Sequence, residues 1–289
     1  MTAWAWGALW LLSAGCTRTL PDAPLTPEAV ATPASILEDI PFEAQPRGPS
    51  CVAAATAMVL RFHGAPDTLD ALTVMRSVPV WPDGIALFDV QQYVTEQGYE
   101  SLVFQAEAHE LEALVRAGLP PIVLVAPTPH QPGRHALVVN GYTADTVHRL
   151  DPATPALRTE ERASFERRLR DAGSATLLLL DRGRGDEVPG VDLSSLRARN
   201  RQFRGAAWAL RAEEHAEANP QKAELYRRAV DEDPTSAPLR NNFALVLAAL
   251  GDEPLAIEQL ERAVALDPSF APARQNLAKL RARGAPGAP

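Results

Sequence analysis

The sequence predicts an α+β domain followed by an all-α domain built from repeats. Apolar patterns with helical spacing occupy residues 51–117, and short runs rich in apolar and β-branched residues follow within residues 121–180. Because helices and strands are segregated along the chain, the first domain is predicted to be α+β and not an alternating βαβ fold. From residue 197 onward the pattern is helical and repetitive, which predicts a separate all-α domain.

Length and composition are those of a soluble globular protein. The chain has 289 residues, of which 46% are hydrophobic and 22% are charged, which leaves room for two modest domains. The net charge of −8 argues against nucleic acid as a partner, because phosphate binding needs clustered Lys and Arg. The Arg-rich stretch 162–170 is interleaved with acidic residues and is predicted to be a solvated helix face.

The N-terminus is predicted to be an export signal. The apolar run 3–12 is shorter than the ~20 residues that a bilayer span requires. Small residues then precede Cys16, a pattern that resembles the lipobox of bacterial lipoproteins and implies that Cys16 carries a lipid. No Lys or Arg precedes the apolar run, so a plain signal peptide is the alternative. Residues 1–16 are the predicted signal segment, and the Pro-rich residues 17–35 are a predicted tether.

A lipid on Cys16 would anchor the protein to a membrane of the cell envelope, facing the periplasm or the exterior. The residue after the cysteine is Thr17, not Asp. In the lipoprotein family this implies the outer membrane if the host is Gram-negative.

Residues 36–181 are predicted to form the α+β domain. Three helices are expected, each followed by a glycine as its stop signal; they cover residues 51–63, 85–97 and 108–117. Ser50 is the predicted N-cap of the first helix, which is apolar on most sides and therefore expected to be buried. Strands are expected at residues 121–126, 135–142, 146–150 and 175–180. Gly141, Ala144 and Asp145 favour a hairpin between the second and third of these strands.

The C-terminal part contains two stretches that align with a period of 34 residues. Tyr226, Ala229 and Pro234 of the first match Leu260, Ala263 and Pro268 of the second. With Gly251 and Ala256, the pattern resembles the tetratricopeptide repeat, closely over 237–268 and loosely over 203–234. The resemblance implies a platform that binds a protein or peptide, and an unrelated helical hairpin is the alternative. Residues 182–196 are the predicted linker, 197–283 the repeat helices with 271–283 as a cap, and 284–289 a disordered tail.

The sequence contains a candidate catalytic cysteine. The chain has two cysteines, and if Cys16 is lipidated, Cys51 has no disulfide partner within it. Thiol catalysis requires a thiolate, and a helix N-terminus favours the anion. It also requires a histidine as proton carrier, a group that orients the imidazole, and donors for the oxyanion.

Each of these roles has one candidate residue. His135 begins one strand of the predicted hairpin and Asp151 follows the other, so both are expected at its open end. Gln45 precedes Cys51 by six residues and is the predicted oxyanion donor, together with the Cys51 backbone N–H. The structural alternatives are a buried small residue for Cys51, a surface residue for His135, a turn residue for Asp151 and a loop residue for Gln45. His130 is the rival base; the other histidines are predicted to be structural.

These motifs resemble the C39-like, bacteriocin-processing-type cysteine peptidases of the papain-like superfamily. The resemblance covers roughly residues 40–181, including PFEAQPRGPSCVAAATAMVLRFHG, HALVVNGY and LDP. It implies a papain-like fold with Cys51 as nucleophile, His135 as base, Asp151 as orienting group and Gln45 as oxyanion donor. The family usually has Gly after the cysteine, whereas this chain has Val52, whose side chain is expected to narrow the cleft or shift the helix start.

The predicted function is therefore that of an extracytoplasmic cysteine peptidase that acts on a peptide or protein substrate. Neither a metal site nor a glycine-rich phosphate loop is recognisable, so no cofactor is expected. Two alternatives stay open. The same thioester intermediate would serve an acyltransferase or amidase, and a degenerate C39-like fold would serve as a binding module in a cell-envelope assembly.

Overall fold

The computed structural model describes residues 35–46, 48–82, 84–128, 133–154, 158–181, 183–185 and 187–283. All of them fall within one compact unit, Pro33–Pro289. The predicted signal segment with Cys16, the tether up to residue 34, the tail 284–289 and the rival base His130 lie outside the described residues.

Helices and strands alternate more in the described residues than the sequence predicted, because β2 lies between α3 and α4, and α5 lies between β6 and β7. The helices are α1 (Cys51–Phe62), α2 (Ala71–Ser77), α3 (Leu87–Glu96), α4 (Ala108–Arg116), α5 (Arg162–Asp171), α6 (Leu193–Glu213), α7 (Pro220–Glu232), α8 (Ala237–Ala249), α9 (Glu253–Leu266) and α10 (Ala271–Arg283). The strands are β1 (Ser35–Ile36), β2 (Glu100–Gln105), β3 (Ile122–Val125), β4 (His135–Tyr142), β5 (Thr146–Leu150), β6 (Thr159–Glu161), β7 (Ala175–Leu180), β8 (Glu187–Val188) and β9 (Val191–Asp192). None of the helices described is long and apolar enough to cross a bilayer.

One antiparallel sheet organises the first part of the chain. Its strand order is β2-β7-β3-β4-β5-β6, with β1 paired to β4, and a separate two-stranded sheet joins β8 to β9. Every strand pair is antiparallel, as expected when strands are not separated by crossover helices. The predicted α+β class is confirmed.

Hydrophobic side chains cover both faces of this sheet. Along β4, Ala136 and Val138 pack in one core with α1, whereas Leu137 and Val139 pack in a second core with α4 and α5. Helix α1 is buried at every position from Val52 to Leu60, as its apolar surface predicted. The sheet and this buried helix therefore form a rigid frame for the residues at their ends.

The predicted hairpin of β4 and β5 is present. Val138 pairs with Leu150 and Tyr142 with Val147, and a bulge lies between Val139 and Gly141. Strand β1 approaches Gly141 so closely that a Cβ there would lie 2.9 Å from the Ile36 side chain. Only glycine fits this close approach. Gly141 therefore allows β1 to pack against β4, whereas the sequence predicted that it favours the hairpin turn.

Several elements were not predicted. Helix α2 and strands β1, β2 and β6 were missed, and α5 is more than a solvated face because Phe165 and Leu169 are buried beneath it. Its arginines are also paired: Arg162 with Glu112 and Arg168 with Glu160. The stretch 162–170 is thus an amphipathic helix that covers the second core.

The C-terminal helices form antiparallel pairs, with α6 against α7 and α8 against α9, followed by α10. A two-helix arrangement is what the repeat pattern predicted. The stretch 182–196, the predicted linker, contains the β8–β9 hairpin and the first turn of α6, where Leu193 and Leu196 are buried in the second core. Asp192 caps α6 through the Ser195 N–H. The helix therefore begins earlier than the polar composition of the linker suggested.

Helix α6 also packs against the edge of the sheet. Asn200 on α6 accepts hydrogen bonds from the Val103 N–H of the edge strand β2, at 2.9 Å, and from Gln91 Nε2, at 2.8 Å. Arg197 pairs with Glu100 at the start of β2. Since an open strand edge invites unwanted pairing, α6 protects the β2 edge by covering it.

Candidate active site

Cys51 is the first residue of α1 and is half-buried. Ser50 occupies the N-cap position as predicted, but its side chain does not cap the helix. Its hydroxyl donates to the Pro46 carbonyl at 2.8 Å instead. Because no side chain caps the helix, the first N–H groups of α1 are left to interact with an anion at this end. The thiol receives one such hydrogen bond from the Val52 N–H.

His135 and Asp151 meet at the open end of the β4–β5 hairpin. The two residues flank the paired strands, and their side chains are nearly inaccessible to solvent. His135 Nε2 lies 2.6 Å from Asp151 Oδ1. Since Asp151 engages Nε2, the ring orientation is fixed and Nδ1 is the nitrogen left for the thiol.

Cys51 and His135 form a hydrogen-bonded pair that favours charge separation. Burial raises the pKa of Cys51, but the hydrogen bond with His135 and the backbone N–H groups of Ala136 and Val52 outweigh burial and bring the pKa below its ordinary value. Burial lowers the pKa of His135, but hydrogen bonds with Asp151 and Cys51 raise it to about 9. Both shifts favour a thiolate beside an imidazolium.

Asp151 is the most constrained member of the group. Besides His135, it accepts hydrogen bonds from the Ala153 N–H at 2.9 Å, from Thr154 Oγ1 at 2.6 Å and from Arg149 Nη1 at 2.8 Å. Burial raises the pKa of the carboxyl, but the hydrogen bonds from His135 and Thr154 keep it well below its ordinary value. Asp151 is therefore an anion under all ordinary conditions.

Gln45 is held next to this group by its backbone. Its N–H donates to the Pro152 carbonyl at 3.0 Å, directly after Asp151 in the chain. Among the described residues, no hydrogen bond joins its side chain to Cys51, and its Oε1 is buried without a partner. This amide oxygen therefore makes no hydrogen bond among the described residues.

Glu43 anchors the segment that carries Gln45. Its Oε1 accepts the Ala71 N–H at 2.5 Å, and its Oε2 lies 3.0 Å from Arg61 Nη2 on α1. The segment is therefore tied to α1 and α2 at Glu43 and to the Asp151–Pro152 turn at Gln45. Sequence reasoning missed Glu43.

Sequence reasoning also missed Arg149 and Thr154. Arg149 lies two residues before Asp151, the spacing at which side chains of a strand project to the same face. This spacing was the available signal, but an arginine on a strand is more often solvent-exposed than buried. Thr154 carries no signal beyond its closeness to a DP turn.

Val52 leaves the start of α1 unchanged. Its side chain is buried in the core beneath α1, and the helix still begins at Cys51.

The remaining described histidines lie away from Cys51. His109 is exposed beside Glu107, His148 lies on β5, and His215 is near Asn219. His63, the C-cap of α1, is buried with Nδ1 3.5 Å from Asp181. Burial lowers the pKa of His63, which favours the neutral imidazole.

Comparison with known proteins places the family resemblance on the same residues. Residues 37–175 match the model of the Peptidase_C39 like family. The predicted similarity to C39-like peptidases is thus confirmed for this stretch, slightly under half of the chain. No curated protein matches the chain.

Three solved structures are similar to this chain at low sequence identity. A C39-like peptidase from Bacillus anthracis has 18% identity and a TM-score of 0.47, and the alignment covers 53% of this chain and 100% of that one. The peptidase domain of Streptococcus ComA, a bifunctional ABC transporter, has 16% identity and a TM-score of 0.41, with 50% and 99% covered. A double-glycine-motif protease from an AMS/PCAT transporter, in complex with its leader peptide, has 21% identity and a TM-score of 0.41, with 50% and 92% covered.

All four predicted site residues, Gln45, Cys51, His135 and Asp151, lie within the matched residues 37–175. The N-terminal α+β part of the chain is a domain similar to the Peptidase_C39 like family, and it contains the candidate active site.

Proposed function

We propose that this protein is a cysteine peptidase with Cys51, His135 and Asp151 as its catalytic triad. The observation that carries the proposal is the convergence of three groups: the Cys51 thiol at the start of α1 interacts with His135, whose Nε2 lies 2.6 Å from Asp151 Oδ1. Its position within a C39-like region agrees with peptide cleavage.

In the proposed reaction, the Cys51 thiolate attacks the carbonyl carbon of a peptide bond and a C–S bond forms. The His135 imidazolium gives its proton to the leaving nitrogen, the C–N bond breaks, and an amine departs from a thioester. Water then attacks the thioester and gives a proton to His135. The C–S bond breaks, the carboxylic product leaves, and the thiolate–imidazolium pair is restored. Asp151 holds the imidazole in place throughout.

Gln45 is the proposed oxyanion donor, with the Cys51 backbone N–H as second donor. We expect Gln45→Ala to lower kcat by about 10²- to 10³-fold, because one preorganised donor to the oxyanion is lost. Peptide cleavage is measured with Gln97→Ala as control, since Gln97 is an exposed glutamine at the end of α3. An unchanged kcat in Gln45→Ala would remove Gln45 from the mechanism.

The overall proposal is tested with a peptide library and mass spectrometry. The full chain is incubated with the library in the presence and absence of a simple amine. Hydrolysis predicts cleaved peptides ending in free carboxylates under both conditions. Products conjugated to the amine would favour the acyltransferase alternative, and no product together with ordinary reactivity of Cys51 toward iodoacetamide would favour a binding module.

The C-terminal helices are proposed to be tetratricopeptide repeats that bind a protein partner. Two antiparallel helix pairs and a final helix are consistent with two repeats and a cap. Small buried residues such as Ala256 and Ala263 let the paired helices approach closely.

The enzyme is proposed to act in the cell envelope, anchored by a lipid on Cys16. We expect Cys16→Ser to move the protein from the membrane fraction to the soluble fraction and to abolish incorporation of radiolabelled palmitate, because the acylated thiol is lost. The measurement is fractionation of expressing cells followed by immunoblotting. A Cys16→Ser protein that stays in the membrane fraction would contradict the anchor.

A further inference from the structure

Arg149 is a buried charge next to the proposed triad that the peptidase mechanism does not require. The residue is 5% exposed, and its Nη1 donates to Asp151 Oδ2 at 2.8 Å. A buried arginine is costly unless its charge is paired, so its position calls for a physical reason.

The two oxygens of Asp151 divide its partners. Oδ1 accepts from His135 and the Ala153 N–H, whereas Oδ2 accepts from Arg149 and Thr154. With two partners on each oxygen, the carboxylate has little freedom to rotate. Arg149 supplies the charged contact on the oxygen that does not touch His135.

Arg149 is itself held from the other side. Its Nε lies 3.1 Å from Glu160 Oε2 on the neighbouring strand β6, an ion pair without the geometry of a hydrogen bond. Glu160 in turn accepts two hydrogen bonds from Arg168 Nη1, at 2.8 and 3.0 Å, and Arg168 Nε reaches the Ala126 carbonyl at 3.2 Å. The side chains of Glu160 and Arg168 are 12% and 13% exposed.

Charges therefore alternate along one continuous series. The series begins at Arg168 on α5 and continues through Glu160, Arg149 and Asp151 to His135. Each charge lies next to a charge of the opposite sign. The negative charge of Glu160 offsets the positive charge of Arg149. The repulsion between the guanidinium and a protonated His135 is therefore reduced. A series of this kind fixes geometry more than it adds stability.

We propose that Arg149 is a positioning residue, which orients Asp151 toward His135 and is itself held by Glu160. The inference rests on the proposed peptidase function but concerns the geometry of His135, which is measurable without a substrate. Comparison of Arg149→Met with Arg149→Lys separates the role of the charge from the role of the geometry. Methionine removes the charge and the contact, whereas lysine keeps the charge but not the planar, two-sided geometry of the guanidinium.

The test is the titration of His135 in the full chain by NMR, with His135→Gln used to assign the signal. For the wild type we expect a midpoint near the His135 pKa of about 9. In Arg149→Met, Asp151 is free to turn away, so the midpoint falls by about one pH unit, which is tenfold in the protonation equilibrium. In Arg149→Lys it falls by less, and in the control Arg162→Met, which removes a nearby arginine paired with Glu112 and Glu166, it stays unchanged.

Three outcomes would overturn the proposal. An unchanged midpoint in folded Arg149→Met would show that Asp151 needs no help from Arg149. A raised midpoint would show that Arg149 acts only as a nearby positive charge, since removing a cation favours a protonated imidazole. If Arg149→Met does not fold, Arg149→Lys decides the question, and a midpoint equal to that of the wild type counts against positioning. The library assay of peptide cleavage is separate, so its failure would not imitate any of these results.

Discussion

Replacement of Cys51 by Ala is expected to abolish peptide cleavage, with a loss of about 10⁴-fold or more in kcat. Alanine has no group that can form the thioester, so only binding and the oxyanion donors remain. The side chain is half-buried at a helix start, and alanine fits there with little change in stability. Residual cleavage is measured on peptides identified from the library, next to the thermal unfolding midpoint of each variant.

Cys51→Ser is the matched control for the chemistry of the sulfur. A serine hydroxyl is not ionised beside His135, whereas the pKa of the Cys51 thiol lies below its ordinary value. We therefore expect Ser to be as inactive as Ala, and wild-type Cys51 to react with iodoacetamide below pH 7 faster than a simple thiol. Cleavage that persists in Cys51→Ala would exclude the thiol mechanism. A wild-type alkylation rate that rises only above pH 8 would argue against a thiolate–imidazolium pair.

The residues that were predicted for the site share one property. Each lies at a helix start, a strand end or a nearby loop that the local sequence pattern marks. Cys51 opens an apolar run after Ser50, and His135 opens a strand that ends at a turn. Helix starts and strand ends are visible in a sequence because capping residues, turn residues and hydrophobic periodicity mark them. The meeting of His135 and Asp151 then follows from the hairpin, since residues flanking paired strands lie close together.

The supporting residues could not be predicted, because tertiary contacts alone define them. Arg149 has the same local pattern whether it faces solvent or Asp151, and its partner Glu160 belongs to a three-residue strand. Glu43 reaches Ala71, 28 residues away, and no local rule points to such a pair. A charged residue is expected to be exposed unless a partner for its charge is known, and the sequence does not show that partner.

The missed strand β2 shows the same limit in the fold. Its sequence, ESLVFQ, is buried at four consecutive positions because both faces of the sheet are covered: Val103 packs in the core with α1 and α3, and Leu102 and Phe104 pack in the core with α4. A strand that is buried on both faces loses the alternation of polar and apolar residues by which strands are recognised. Helix α6 was placed too late for a related reason: Leu193 and Leu196 follow polar linker residues, and only their contact with the second core identifies them as helix.

The second large effect is expected for Asp151, the group that joins the site to the fold. We predict that Asp151→Ala lowers the free energy of unfolding by about 3–5 kcal/mol, because it leaves the buried His135 without its counter-charge and Arg149 with one partner fewer. The matched variant Asp151→Asn keeps an acceptor oxygen without the charge, so its loss of stability should be smaller. Both variants should cleave peptides far more slowly than the wild type, since the imidazole is no longer held.

The dependence of this effect on pH follows from the two pKa shifts. The pKa of Asp151 is depressed by its hydrogen bonds despite burial, so its contribution to stability is present above the unfolded value of about 3.9 and is lost as the pH falls below it. The pKa of His135 is raised to about 9, so its contribution is present below the unfolded value of about 6.5 and is lost as the pH rises toward 9. The difference between wild type and Asp151→Ala should therefore be largest between about pH 4 and pH 6.5. Urea denaturation at acid, intermediate and alkaline pH measures it, and a difference that does not vary with pH would mean that the two groups are not ionised together in the folded protein.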